Sequence, residues 1–239
     1  MKYNLCIDIG NTNIKSGFFL NDNLEDLAID TDELALKIKN RTFNCIISSV
    51  RKELPDEVKK ITDLAEKKVQ LSPRIHLPVK IQYNTPDTLG MDRIAAAIGA
   101  KKYFPDQNCI VIDAGTCITS DFIDKENFFL GGNISPGISM RIKAMHYFTD
   151  ALPLVEIKDN KEFLGKSTEE ALQNGALKGT IWEISTFIKE INKKYGKSQL
   201  VFTGGDTKYF VNYFKTMIFV DSNLVLVGLN EILKNYDEN

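Results

Sequence analysis

Two stretches of the chain are spelled nearly alike. Ile7-Asp8-Ile9-Gly10-Asn11-Thr12-Asn13-Ile14-Lys15-Ser16-Gly17-Phe18 aligns with Ile112-Asp113-Ala114-Gly115-Thr116-Cys117-Ile118-Thr119-Ser120-Asp121-Phe122 once Asn11 is left unmatched, and seven of the eleven aligned positions are identical. Chance does not comfortably produce that. A chain of 239 residues is about 1.6 times a typical domain of ~150, which admits one large domain or two of roughly 110 to 120. The repeat favours two copies of one unit, each opening with a strand, a D-x-G-(N)-T turn and a second strand. The boundary is expected near residue 105, giving an N-terminal lobe over 1–105 and a C-terminal lobe over 106–239. No low-complexity linker separates them, so the lobes are expected to pack closely.

Composition narrows the function classes. Apolar residues make up 43% and charged residues 26% of the chain, the balance of a folded globular protein with a sizeable core. Lys and Arg number 30 against 32 Asp and Glu, a net charge of −2 with no block of like charges, so neither nucleic acid nor a membrane surface is expected as a partner. The opening MKYNLCIDIG reaches Asp8 too soon for a signal peptide, and no apolar run approaches the ~18 residues of a membrane span. Cys6, Cys45, Cys109 and Cys117 have no CxxC spacing and read as reduced thiols of a cytoplasmic protein. His76 and His146 are the only histidines, which leaves little basis for a zinc site or a Ser-His-Asp hydrolase.

Residues 3–9 and 14–20 read as strands around the polar turn Gly10-Asn11-Thr12-Asn13, 43–50 as a buried strand, 55–68 as a helix opened by Pro55, and 91–104 as an Ala-rich helix closed by Pro105. The first half thus reads β-β-β-α, with a loop-rich stretch before its last helix. Beyond the second copy of the repeat come a strand at 127–132 and a helix at 137–148. A long helix follows, opened by the capping box Ser167-Thr168-Glu169-Glu170, with Leu177, Ile181, Ile184, Ile188 and Ile191 along one face. Strands at 199–203 and 217–221 and a closing helix at 224–236 complete an α/β class with mixed β-sheets flanked by helices.

The turns carry the chemistry. A Gly-containing corner with Asp, Asn and Thr neighbours offers amides and hydroxyls to an anion, because Gly lets the backbone approach phosphate closely. Taken singly, such a corner is equally an ordinary hairpin with an Asx turn; its repetition favours the phosphate cradle. Asp8 and Asp113 end the two strands, and in a duplicated fold the corners are expected to face each other across a cleft. Two carboxylates there repel phosphate unless a cation lies between them, so a nucleotide ligand implies a bound metal ion. Lys15 reaches a phosphate or is solvated. Thr203-Gly204-Gly205-Asp206, Gly131-Gly132 and Ser135-Pro136-Gly137 each suit a ring or ribose lying on backbone, or merely a strand-to-helix turn. Gly90-Met91-Asp92-Arg93 opens a helix, and two accounts stand side by side. Asp92 favours the helix N-terminus with Arg93 a surface charge, or Asp92 accepts a hydroxyl proton while Arg93 clamps a carboxylate. Tyr83 and Thr85 line the same pocket or belong only to the loop.

With these motifs in view the chain resembles the type III pantothenate kinases from its first strand to its last helix. The matching pieces are DIGNTNIK at 8–15, YNTPDTLGMDR at 83–93, DAGTCIT at 113–119, GGNISPG at 131–137, STEEA near 167 and FTGGD at 202–206. The first and third alone would indicate only the wider superfamily of actin, hexokinase, acetate kinase and heat-shock ATPases. The resemblance implies duplicated actin-like (ribonuclease H-like) lobes and transfer of the ATP γ-phosphate to the primary hydroxyl of pantothenate, the first step of coenzyme A biosynthesis. It implies that Asp8, Gly10, Asn11, Thr12, Lys15 and Thr116 bind ATP, that Mg²⁺ accompanies the nucleotide, and that Asp113 binds potassium or ammonium. It further implies that Tyr83, Gly90, Met91, Asp92, Arg93 and Thr168 bind pantothenate, that Asp92 is the general base, and that the protein is a homodimer. Cys117 and Ile118 follow Thr116 where the family more often has a small or hydroxylated residue and then an aliphatic one; the Asp, Gly and Thr of that turn are kept. Three other readings compete: a superfamily kinase for another small alcohol or acid, a nucleotide-binding accessory protein that modulates transcription, and a purely structural actin-like module.

Overall fold

Residues 1–51, 53–214 and 218–236 are described by a computed structural model. In chain order its elements are β1 (Lys2–Ile9), β2 (Ile14–Leu20), β3 (Asn23–Ala28), α1 (Thr31–Lys37), β4 (Thr42–Ser49), α2 (Asp56–Thr62), β5 (Lys67–Gln70), β6 (Lys80–Ile81), α3 (Met91–Tyr103), β7 (Cys109–Ala114), β8 (Cys117–Ile123), β9 (Phe128–Pro136), α4 (Ile138–Tyr147), α5 (Thr168–Tyr195), β10 (Gln199–Thr203), α6 (Val211–Phe214), β11 (Ile218–Val220) and α7 (Leu224–Asn235). Short 3-10 turns occupy Pro86–Thr88 and Gly205–Tyr209. Of the expected strand at 217–221, position 217 lies outside the described residues and the remainder is β11.

The chain forms two compact units that interleave in sequence. The first holds Met1–Asp106, Ile123–Gly131 and Asn223–Asn239; the second holds Gln107–Phe122 and Gly132–Ser222. The N-terminal lobe over 1–105 and the C-terminal lobe over 106–239 stay a proposal; the compact units interleave and do not follow that single cut.

In the first unit the strand order is β3-β2-β1-β4-β5. β1 meets β2 in an antiparallel hairpin and runs parallel to β4, which in turn runs parallel to β5. Period-two alternation assigns the faces. Leu5, Ile7 and Ile9 join Phe18, Phe43, Cys45 and Ile47 on one side, covered by Leu34 of α1 and by Val58 and Ile61 of α2. Each such buried side chain is worth roughly 1.5–3 kcal/mol of transfer free energy. The opposite face receives α7, where Asn4 Nδ2 donates to Asn230 Oδ1 at 2.9 Å. α7 lies tight against α3 because Gly228 presents no side chain; a Cβ there would collide with the Ala95 carbonyl oxygen.

The first half contains more elements than the sequence suggested. The helix expected over 55–68 stops at Thr62, and Lys67–Gln70 pairs with β4, Val69 beside Ile46. Only Val69 of those four is buried, so the strand carries no apolar alternation to announce it. β3 and α1 lie where the sequence carried no assigned element. α1 is opened by a capping-box variant: Glu33 N–H donates to Oδ1 of the cap residue Asp30 at 2.7 Å, and Glu33 Oε2 accepts the N–H of Ile29, the residue before the cap, at 2.9 Å.

The second unit repeats the plan. The second sheet has the order β11-β10-β7-β8-β9-β6; its strands β7 to β11, numbered 1 to 5 in chain order, are arranged 3-2-1-4-5 as in the first sheet, and β6 is added parallel to β9, Ile81 beside Phe129. β7 runs parallel to β10, and β10 to β11. Cys109, Ile110, Val111 and Ile112 are all buried, as a central parallel strand covered on both faces requires. β9 runs on through Pro136, past the expected end at 132. α5 begins at the predicted box, with Ser167 Oγ accepting from Glu170 N–H at 3.2 Å, and buries Leu177, Ile181, Ile184 and Ile188.

Candidate active site

Asp8 stands one residue before the end of β1, across the hairpin from Lys15 and beside Ser48 of β4. The chain then turns through Gly10–Asn13, closed by Gly10 N–H donating to the Asn13 carbonyl at 3.0 Å. Asn11 and Thr12 are exposed at its tip. One residue that the sequence did not mark joins them. Arg51 Nε donates to the Gly10 carbonyl at 2.9 Å and Nη2 to the Asn11 carbonyl at 3.3 Å. Nothing in the spelling around Arg51 signals this, since the contact depends on β4 lying beside β1.

The helix α3 opens at Gly90, whose φ of −59° and ψ of 122° are ordinary extended values. Asp92 Oδ1 accepts the Arg93 backbone N–H at 2.9 Å. A Cβ on Gly90 would stand 2.5 Å from that same oxygen, so the carboxylate fits only where residue 90 has no side chain. Burial pushes the Asp92 carboxyl above the ordinary aspartate value, outweighing the Arg93 N–H and guanidinium, which favour the ion. Arg93 is 5% exposed, which ends its reading as a surface charge. Its guanidinium carbon lies 5.9 Å from the ring centres of both Tyr83 and Phe129, within reach of a cation–π attraction. Tyr83 is partly exposed and Met91 buried. The Thr85 hydroxyl is engaged by Thr88 Oγ1 at 2.9 Å within the 3-10 turn, which accounts for Thr85 locally.

In the second unit Asp113 lies near the end of β7, in register with Thr203 of β10. Gly115 N–H donates to the Cys117 carbonyl at 3.0 Å, and Gly137 N–H reaches the Thr116 carbonyl at 3.1 Å. Gly204 has φ of +90°, where a side chain is strained, and a Cβ there would collide with the Ala114 carbonyl oxygen and stand 2.5 Å from Asp113 Oδ1. Three glycine-bearing segments that are far apart in sequence therefore converge where β7 ends. Gly131 does not join them: it lies in the first unit, where a Cβ would come within 3.6 Å of the Tyr83 ring. The Gly204 backbone thus packs directly against the Ala114 carbonyl and the Asp113 carboxylate. Among the described residues no group of three or more His, Cys, Asp or Glu is placed to hold a metal ion. Asp206, in the turn after Gly204, is held above the ordinary aspartate value by burial, with Lys208 opposing.

The expected residues thus fall into two sets. Asp8, Gly10, Asn11, Thr12, Lys15, Tyr83, Gly90, Met91, Asp92 and Arg93 belong to the first unit, and Asp113, Thr116 and Thr168 to the second. Thr168 is exposed at the first residue of α5, beside the Ser167 cap. An open hollow of about 580 Å³ in the second unit, lined by Ser120, Asn133, Trp182, Glu183, Thr186 and Glu190 among others, contains none of them. No helix of the described residues is long and apolar enough to cross a membrane.

Comparison with known proteins bears on this arrangement. A family model described as type III pantothenate kinase matches residues 4–190. The chain is similar to the type III pantothenate kinase of Bacteroides fragilis strain YCH46, 39% identical over 239 residues and covering 98% of each chain. It is also similar to that of Porphyromonas gingivalis strain ATCC 33277, 36% identical over 244 residues, covering 98% of this chain and 99% of the relative. A solved structure from Campylobacter jejuni, described as a Baf family transcriptional activator, superposes with a TM-score of 0.66 at 26% identity, covering 98% of this chain and all of the other. The ethanolamine utilization protein EutJ from Carboxydothermus hydrogenoformans shares the fold, with a TM-score of 0.52 at 11% identity over 95% of this chain and 89% of EutJ.

Proposed function

The chain belongs to the type III pantothenate kinase family, ATP-dependent enzymes that phosphorylate pantothenate in coenzyme A biosynthesis, and we propose that Asp92 is the general base of that transfer. The observation that carries this is the Asp92 carboxylate itself: partly buried, raised above its ordinary value by that burial, held by the Arg93 N–H and adjacent to a buried guanidinium. A base works best when its pKa approaches the working pH. Asp92 orients the primary hydroxyl and takes its proton as the oxygen attacks the γ-phosphorus; the Arg93 guanidinium holds the pantothenate carboxylate; Tyr83, Gly90, Met91 and Thr168 complete the vitamin's contacts.

Phosphoryl transfer asks the protein mainly for alignment and charge neutralisation. Asp8, Gly10, Asn11, Thr12, Lys15 and Thr116 are the proposed ATP contacts, with Lys15 and the turn amides set against phosphate charge. Magnesium bound with the nucleotide, and potassium or ammonium at Asp113, supply further neutralising charge. The protein is proposed to act as a homodimer in the cytoplasm. Trp182 on α5 is 51% exposed and Phe163 64% exposed, in ring contact at 5.6 Å between centroids, an apolar surface suited to a second copy of the chain. Four free cysteines suit a reducing compartment.

One assay separates this reading from its rivals. ADP release is followed with pantothenate, glucose or acetate as acceptor. Release that depends on pantothenate supports it; release with glucose or acetate instead points to another superfamily kinase, and no acceptor-dependent release points to an accessory protein.

A further inference from the structure

We propose that Arg51 is a positioning residue for the ATP phosphates: it aims the amide N–H groups of Asn11 and Thr12, an inference that rests on reading residues 8–15 as the phosphate turn. β4 runs parallel to β1 with Ser49 beside Ile9, and Val50 N–H donates to the Ile9 carbonyl at 3.1 Å. The chain is thereby delivered against the turn just past the last residue of β1. Arg51 is itself anchored there, its backbone N–H donating to Ser49 Oγ at 3.1 Å and its carbonyl accepting from that hydroxyl at 3.3 Å. From this anchor the guanidinium spans two successive carbonyls, Gly10 at 2.9 Å and Asn11 at 3.3 Å.

In a planar trans peptide the carbonyl and the following N–H point in opposite directions, and the described chain has no cis peptide bond. Drawing the Gly10 carbonyl toward Arg51 therefore turns the Asn11 N–H away from it, and drawing the Asn11 carbonyl does the same for the Thr12 N–H. Successive amides turned to one side make the concave donor pair that suits an anionic oxygen. The positive guanidinium also offsets the partial negative charge of two carbonyls that would otherwise repel a triphosphate. Its planar fork is what allows one side chain to serve two acceptors; a lysine ammonium is a single point. Arg51 is exposed, so its role is not a demand of core packing.

The test is steady-state kinetics on the full chain carrying R51A, R51K or T12A, with the thermal midpoint of each. R51A is expected to raise KM for ATP about tenfold or more, the size of a lost charged hydrogen bond, with KM for pantothenate within about twofold and the midpoint unchanged. R51K is expected to fall between R51A and the unmodified enzyme, and T12A to raise KM for ATP as well. If T12A raises KM for ATP while R51A leaves it alone, the turn keeps its assignment and Arg51 loses its role. If neither moves KM for ATP, both readings fall. R51K matching the unmodified enzyme overturns the two-carbonyl clamp, and R51A lowering kcat and the midpoint without moving KM for ATP makes Arg51 merely structural.

Discussion

Asp92 Oδ1 receives the backbone N–H of Arg93, the next residue, at 2.9 Å. The bond favours the ionised carboxylate, yet burial wins and the group sits above its ordinary pKa. Stability and activity therefore pull in opposite directions at this residue. In the window between the ordinary aspartate value of 3.8 and the raised one, the folded protein binds more protons than the unfolded chain. Stability thus falls as pH rises through that window, and the full penalty stands above it. Asp92→Asn is expected to lose about 100-fold or more in turnover while ATP still binds, and to melt at a higher temperature than the unmodified protein at neutral pH. That gain should disappear in acid below the ordinary value. Melting curves across pH beside kcat check it; near-normal turnover in the variant would remove Asp92 as the base.

Gly90→Ala tests the space around the same oxygen. The backbone angles at Gly90 suit alanine, so the fold should tolerate the change. The new Cβ, 2.5 Å from Asp92 Oδ1, displaces the carboxylate. We expect kcat to fall by roughly 10- to 100-fold, as a base moved by an ångström costs, with a melting temperature close to that of the unmodified protein. Unchanged kcat would mean that Asp92 has room to spare.

Arg93→Ala is expected to raise KM for pantothenate more than it lowers kcat, because a bidentate carboxylate contact serves binding. It should also destabilise the fold, since Arg93 is buried between Tyr83 and Phe129. An unaltered KM for pantothenate in folded enzyme would assign the guanidinium to packing alone.

Much of this was legible in the sequence, and the failures have physical reasons. β1 and β7 announce themselves because each has a buried apolar middle, Leu5 to Ile7 and Cys109 to Ile112, and their shared spelling pointed to a duplicated unit. β5 went unread because Lys67, Lys68 and Gln70 are not buried and Val69 alone marks the strand. The Asp30–Glu33 box lay in plain view and was overlooked. Arg51 and the closeness of Gly204 to Asp113 depend on which strands lie side by side, β4 with β1 and β10 with β7, and no local pattern encodes that. Burial of Arg93 was equally hidden, since an Arg at a helix start is usually solvated.

Gly204→Ala probes the surroundings of Asp113, the proposed cation ligand. It places a side chain at φ of +90° against Asp113 Oδ1 and the Ala114 carbonyl, a strain of about 1–3 kcal/mol. We expect a lowered melting temperature together with a weakened response to potassium. In the unmodified enzyme, replacing potassium by sodium should depress activity; indifference to the ion in both proteins would leave Asp113 a structural residue.

The most direct measurement is ³¹P NMR of the unmodified enzyme incubated with ATP, magnesium, potassium and pantothenate. A new phosphomonoester signal growing in step with ADP, absent without pantothenate and lost in Asp92→Asn, is the predicted result. ADP formed without that signal, or the signal persisting at full rate in Asp92→Asn, would contradict the account.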